Sequence, residues 1–252
     1  MHLLSVDLET TGLDGNTDQI LEIAAVATDL TGSDKRYSWR RLVAHSAYQG
    51  NAYALAMNSA ILYEIAEAEK NKEATGTSII VTLEELASEF AKFVVNIPFF
   101  FSAKRITLTG KNVGSFDLAF LRMVPGFNEI TKVCKLGHRC MDPGPLYFRP
   151  GDPEMPDLKT CLLRAGFEEP VMHRALDDAH AVLNVVRAHS ERVIHIKSER
   201  IYDLSREVVI NATNGDQEGK SMRLYRNESG EAFVRNEDEF DDKFVLARGK
   251  VS

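Results

Sequence analysis

Residues 3–8 of the chain, Leu-Leu-Ser-Val-Asp-Leu, lead directly into Glu9-Thr10-Thr11-Gly12. A short, mostly apolar run closed by a turn reads most simply as a buried strand. Side chains alternate across a strand, so Asp7 and Glu9 emerge on the same face. Two neighbouring carboxylates repel, and a divalent cation between them removes the conflict. Carboxylate oxygens suit Mg²⁺ or Mn²⁺. The plainer alternative is a solvated strand end that carries two acids by chance.

The rest of the chain organises around that strand. Residues 20–30 form an apolar run broken by Glu22, and residues 37–43 are β-branched and aromatic. Both are expected as strands, in a hairpin-linked set of three. Residues 52–68 read as a helix and the polar residues 71–78 as a loop. Thr82 followed by Glu85 is a capping box, opening a helix with Leu83, Leu86, Phe90 and Phe93 that Pro98 ends. Residues 106–110 are expected as a fourth strand and 115–123 as a short helix. The proline-rich residues 143–156 are expected as a long irregular loop. Residues 158–165 and 175–188 read as two further helices. Strands, then helices, then another strand and helices predict an α/β domain with a mixed sheet flanked by helices, over residues 1–190.

From about residue 190 the sequence becomes more charged. Residues 221–226, 231–235 and 243–248 are strand-like, with Asn227-Glu228-Ser229-Gly230 as a hairpin loop. The acidic run 237–242 reads as a solvated turn. A small β-rich C-terminal appendage over residues 191–252 is expected.

Composition limits the partners. A formal net charge of −7 argues against a protein that coats long nucleic acid by phosphate neutralisation. It leaves room for an enzyme that holds a few nucleotides with help from metal ions. Three cysteines without a C-x-x-C spacing indicate neither a disulfide framework nor a zinc knuckle. The longest apolar run, residues 97–101, contains Pro98 and is too short to span a bilayer. A cytoplasmic location without membrane contact is expected.

Two more clusters carry chemistry. Gly110-Lys111-Asn112-Val113-Gly114-Ser115-Phe116-Asp117 places an acid after a glycine-bearing turn at a helix entry. Alone, Asp117 reads as well as a helix cap. His173-Arg174-Ala175-Leu176-Asp177-Asp178 places a histidine before a helix and two acids in its first turns. Either acid could simply favour the helix dipole.

In series, the three clusters resemble the DnaQ-like (DEDDh) 3′→5′ exonuclease superfamily. The carrying motifs are Asp7-Leu8-Glu9-Thr10-Thr11-Gly12, Phe116-Asp117, and His173 with Asp178 five residues on. Asp177 is one residue out of register. The resemblance spans residues 1–190 and implies a ribonuclease H-like fold. It also implies a two-metal phosphodiesterase using Mg²⁺ or Mn²⁺, acting on single-stranded or short DNA or RNA and releasing nucleoside 5′-monophosphates. Asp7 would bridge the ions, Glu9 and Asp178 would complete one site, and Asp117 would hold the other. His173 would act as general base, a task suited to an imidazole with an ordinary pKa of ~6.5. Thr10, Thr11 and Gly12 would approach the terminal sugar, Leu13 would wedge against the terminal base, and Phe116 would pack on it. Lys111, Arg139, Arg149 and Arg174 are candidate phosphate contacts. Asn112 sits five residues before Asp117 where proofreading members space it by four, and residues 48–81 are longer than a minimal member needs. A homodimer, a polymerase-docked proofreading subunit and a non-catalytic binding module on the same fold are the alternative readings.

Overall fold

A computed structural model describes residues 1–30, 35–75, 79–168, 172–205, 207, 209–213 and 215–247, with only the backbone of 72–75. Two six-stranded sheets follow one another along the chain.

The first sheet begins with three antiparallel strands, β1 (His2–Thr10), β2 (Ile20–Asp29) and β3 (Arg36–Ala44). Helices α1 (Ala52–Met57) and α2 (Ser59–Thr75) come next. The expected single helix is thus broken at Asn58, which is buried and donates its side-chain amide to the Thr10 carbonyl at 3.0 Å. Helix α2 also runs through most of the expected loop, of which residues 76–78 lie outside the described residues. Strand β4 (Ile80–Thr82) runs parallel to β3 and was not anticipated. It feeds α3 (Leu83–Val95), whose Thr82–Glu85 capping box forms as expected and whose Leu86, Ala87, Phe90 and Val94 are buried.

Strand β5 (Ile106–Thr109) lies parallel to β1 on the side away from β2. Helices α4 (Asp117–Leu121) and α5 (Phe127–Val133) lead to β6 (Leu136–Met141), parallel to β5 at the sheet edge. The proline-rich stretch is not wholly irregular. Pro143 follows the N-cap Asp142 and opens α6 (Pro143–Tyr147), because a proline without an N–H is tolerated in a first helical turn. Helices α7 (Leu158–Arg164) and α8 (Ala175–His189) complete the layer. The strand order is β4-β3-β2-β1-β5-β6.

Alternation in β1 separates two cores. Leu4, Val6 and Leu8 pack with Phe90, Phe120 and Phe127 on one face. Leu3 and Val26 pack with α7 and α8 on the other. Helix α2 covers the outer part of this second face through Ile61 and Ile65 against Leu21 and Leu42. Asp7 and Glu9 share the parity of Leu3, so they lie on the face carrying α2 and α8.

The second sheet contains β7 (Arg192–His195), β8 (Ile201–Leu204), β9 (Val209–Ile210), β10 (Ser221–Arg226) and β11 (Ala232–Asn236). Helix α9 (Glu237–Lys243) and β12 (Phe244–Leu246) close it, in the order β11-β10-β8-β7-β12 with β9 on β10. The hairpin β10–β11 forms around the expected loop, where the Gly230 N–H reaches the Asn227 carbonyl at 2.9 Å with φ +82°. Residue 248, at the end of the expected last strand, lies outside the described residues. The acidic run is a helix rather than a solvated turn. Asn236 caps it, Glu237, Asp238 and Glu239 fall in the first turn where the dipole favours acids, and Phe240 is buried beside Tyr225 and Phe244. Among the described residues no helix is long and apolar enough to cross a membrane.

Candidate active site

Strand β1 delivers its carboxylates where its pairing with β5 stops. The β1–β5 register runs from Leu3↔Thr107 to Ser5↔Thr109, leaving the β1 edge beyond Ser5 open. The chain leaves β5 through Gly110, where a Cβ would stand 2.6 Å from the Val6 carbonyl oxygen, so the close crossing requires glycine. The turn returns Asp117 to that open edge. Its carboxylate is buried there, beside the Leu8 backbone. Asn112, with φ +58°, is a turn residue whose N–H is held by Asp142 at 2.8 Å.

Helix α8 supplies the next acid. Its buried stripe includes Ala175, Ala179, Val182 and Val186, and Asp178 lies in that stripe at helical spacing. Asp177 is exposed. Ligand-grade oxygens of Asp7, Glu9 and Asp178 all lie within 4.8 Å of one another. Asp117 stands outside this trio but close enough to Asp7 to act on its charge.

These acids cannot all ionise easily. Burial, then Asp117, Asp178 and Glu9, push the Asp7 carboxyl well above the ordinary range. Burial and Asp178 lift Glu9 to about 7, while burial lifts Asp117 to about 7. Burial raises Asp178, opposed by His173 and by the Met172 backbone. A largely buried set of hard oxygen donors with mutually raised pKa values is the donor chemistry that a divalent cation fits.

The sign of the pH effect follows. Each folded-state pKa exceeds its unfolded value, so the folded protein retains protons that the unfolded chain has lost. This stability is fully present below the ordinary carboxylate pKa of about 4 and disappears as pH rises towards about 7. Mn²⁺ or Mg²⁺ is therefore expected to raise the unfolding temperature at pH 8, to do little at pH 5, and to be reversed by EDTA. Thermal scans at both pH values measure this; equal metal shifts at the two would contradict it.

Four side chains not singled out beforehand surround the carboxylates. Glu22, opposite Glu9 in the register, is fully buried and ion-paired to Arg40 of β3. Both terminal nitrogens of Arg40 hold Glu64 of α2, at 2.7 and 2.8 Å. Arg40, then Arg174, keep the Glu64 carboxyl down at about 2. Asn58 lies beside Glu9 and partly offsets the rise of its pKa. The signal for Glu22 was present, since a charge inside an apolar strand requires a partner.

His173 is exposed and has φ +50°, in the left-handed region. Pro170 and Val171, which precede it, lie outside the described residues. Thr10 and Thr11 turn inward: the Thr10 hydroxyl donates to the Gly12 carbonyl at 2.6 Å, and the Thr11 hydroxyl accepts the Gln19 N–H at 2.9 Å. The Thr11 N–H is held by the Gln19 carbonyl at 2.9 Å. Leu13 stands 86% exposed at the rim, whereas Phe116 is half-buried against Phe120. Arg139 and Arg149 are exposed, while Lys111 lies against Asn112 and Asp142.

A mixed sheet with helices on both faces, with acids converging from its central strand and last helix, defines a ribonuclease H-like nuclease fold. The family model for exonucleases of the ribonuclease T type matches residues 4–186. The chain belongs to this exonuclease family, within the DnaQ-like 3′→5′ exonuclease superfamily that its motifs resemble. Among solved structures it is similar to the moderately thermophilic Exonuclease I from Methylocaldum szegediense. Identity is 14% and the TM-score 0.53, over 90% of this chain and 54% of that one. The chain therefore spans about half of that structure, and the similarity extends beyond residue 186 into the second sheet. No curated protein sequence matches it.

Proposed function

We propose that the protein hydrolyses single-stranded or short nucleic acid from its 3′ end, releasing nucleoside 5′-monophosphates. The observation that carries this reading is the convergence of Asp7, Glu9 and Asp178 within 4.8 Å, inside the exonuclease-family region. Asp7, Glu9 and Asp178 would hold one divalent cation, Mg²⁺ or Mn²⁺, and Asp7 with Asp117 a second. When bound, such ions supply Lewis-acid activation of water and charge stabilisation at the leaving 3′-oxygen.

The chain's own groups do the rest. His173, exposed at the entry to α8, accepts the proton of the attacking water. Leu13 meets the terminal base from the rim, and Phe116 lines the inner side. Thr10, Thr11 and Gly12 set the shape of the loop that receives the terminal sugar. The first two do so from within, through the bonds that hold the turn. The catalytic unit is assigned to residues 1–190, and residues 191–252 to a β-rich C-terminal extension.

A 5′-labelled oligonucleotide is the test. With Mn²⁺ it should shorten stepwise from the 3′ end with mononucleotide product, and EDTA should stop it. Absence of metal-dependent shortening on every ribo- and deoxyribo-oligomer tried would sink the proposal. The ratio of rates on matched ribo- and deoxyribo-oligomers defines the preferred sugar, a choice that one or two contacts to the 2′-hydroxyl suffice to make.

A further inference from the structure

The residue that follows His173 is anchored on an element outside all three motifs. Arg174 is the N-cap of α8, and its carbonyl accepts the Asp178 N–H at 3.0 Å. Its side chain reaches across the sheet face. Nη2 donates to Glu64 Oε2 on α2, and Nε lies 3.8 Å from Glu22 Oε2. Glu64 is itself fixed by the two-nitrogen grip of Arg40, so Arg174 docks onto a carboxylate that β3 already immobilises.

Two ties act on the residue beside His173. The Arg174 carbonyl holds the Asp178 N–H, and the Arg174 side chain is held by Glu64. Next to them His173 adopts φ +50°, a conformation that a non-glycine residue keeps only when its surroundings impose it. An arginine engaged in this way has its charge answered by two carboxylates, which weakens its pull on a phosphate.

We propose that the Arg174–Glu64 ion pair is a positioning device that fixes the left-handed backbone of His173, and hence the reach of its imidazole, and that Arg174 is not a phosphate contact. This rests on the reading of His173 as proton acceptor. Arg174 is a positioning residue acting through its neighbour. The length of chain between β3 and β4 acquires a purpose, since α2 carries the anchor. The pair is about one-third exposed on each side, at 32% and 34%, and exposed pairs contribute little to stability. Breaking it should therefore spare the fold.

The full-length protein with Mn²⁺ and a labelled oligonucleotide provides the test. Arg174→Gln and Glu64→Ala should each lower kcat about 10- to 100-fold, the scale of a small misplacement of a reacting group. KM should change by no more than about twofold, since uniform binding is untouched. The double variant should be no worse than the single ones. In a His173→Ala background Arg174→Gln should cost nothing further, a result that a general structural role would not give. A raised KM with kcat preserved, or additivity with His173→Ala, would overturn the proposal in favour of a phosphate contact. Amide hydrogen exchange supplies a readout independent of activity. In Glu64→Ala the Asp178 amide, bonded to the Arg174 carbonyl, should exchange at least about tenfold faster, while the amides of β1 do not change. Unchanged exchange would refute the device even if the wild type proves inactive, in which case only the functional reading fails on the activity assay.

Discussion

Replacing Asp7 by asparagine is expected to abolish exonuclease activity and, in the same variant, to stabilise the metal-free protein at pH 8. The first effect follows from its position: Asp7 belongs to the carboxylate trio and stands beside Asp117, so it is the acid common to both proposed ion sites. Loss of transition-state charge stabilisation worth several kcal/mol corresponds to a rate reduction of ~10³ or more. The second effect follows from electrostatics. A pH of 8 lies above the value of about 7 to which Glu9 and Asp117 are lifted, and with Asp178 they oppose a charge on Asp7, as burial does. A neutral amide of the same shape removes that repulsion, and a gain of ~1 kcal/mol would lift the unfolding temperature by about 2–4 °C. At pH 5, well below about 7, Glu9 and Asp117 hold their protons and the gain should shrink. The thermal shift caused by Mn²⁺ should shrink in the variant at pH 8. Retained activity, or a variant less stable than wild type at pH 8 without metal, would contradict this account of the site.

The part of this site legible from sequence is the part that obeys a local period. The alternation of a strand puts Asp7 and Glu9 on one face, whereas Asp178 was separated from Asp177 only by the motif's spacing from His173; Asp178 is buried and Asp177 is not. The same periods revealed β1, β2, β3, α3 and the hairpin of the second sheet. Features decided by contacts distant in sequence stayed hidden. Arg40 meets Glu22 across 18 residues and Glu64 across 24, and Arg174 meets Glu64 across 110, separations that no spacing rule reaches. Asn58 interrupts a run of good helix formers, and only its bond to Thr10 shows why the break is there. Strand β6 was missed because Gly137, His138 and Arg139 give an edge strand no apolar face to recognise. The acids of α9 hid a helix because they read as solvent-facing, whereas the apolar residue among them, Phe240, faces the second core.

The largest expected loss of stability outside the carboxylates comes from Arg40→Ala. Glu22 is fully buried, and Arg40 is the near partner of its carboxylate. The remaining cation, Arg174, is 3.8 Å away and engaged by Glu64. Removing Arg40 therefore leaves a buried charge with little compensation, and such losses run to about 3–5 kcal/mol. That is a large share of the ~5–15 kcal/mol by which domains are stable. The penalty lies in the stranded charge rather than in the lost attraction. Glu22→Gln should consequently cost far less, since Arg40 keeps both bonds to Glu64, and Glu22→Gln combined with Arg40→Met should recover most of what Arg40→Ala loses. Urea titrations of the three variants at pH 7 measure the differences as shifts in midpoint at constant slope. A loss below about 1 kcal/mol for Arg40→Ala would mean that water reaches Glu22 once the guanidinium is gone. The comparison also separates the two arginines on this carboxylate network: Arg40 neutralises a charge that the fold has buried, whereas Arg174 uses the same network to hold the backbone of His173.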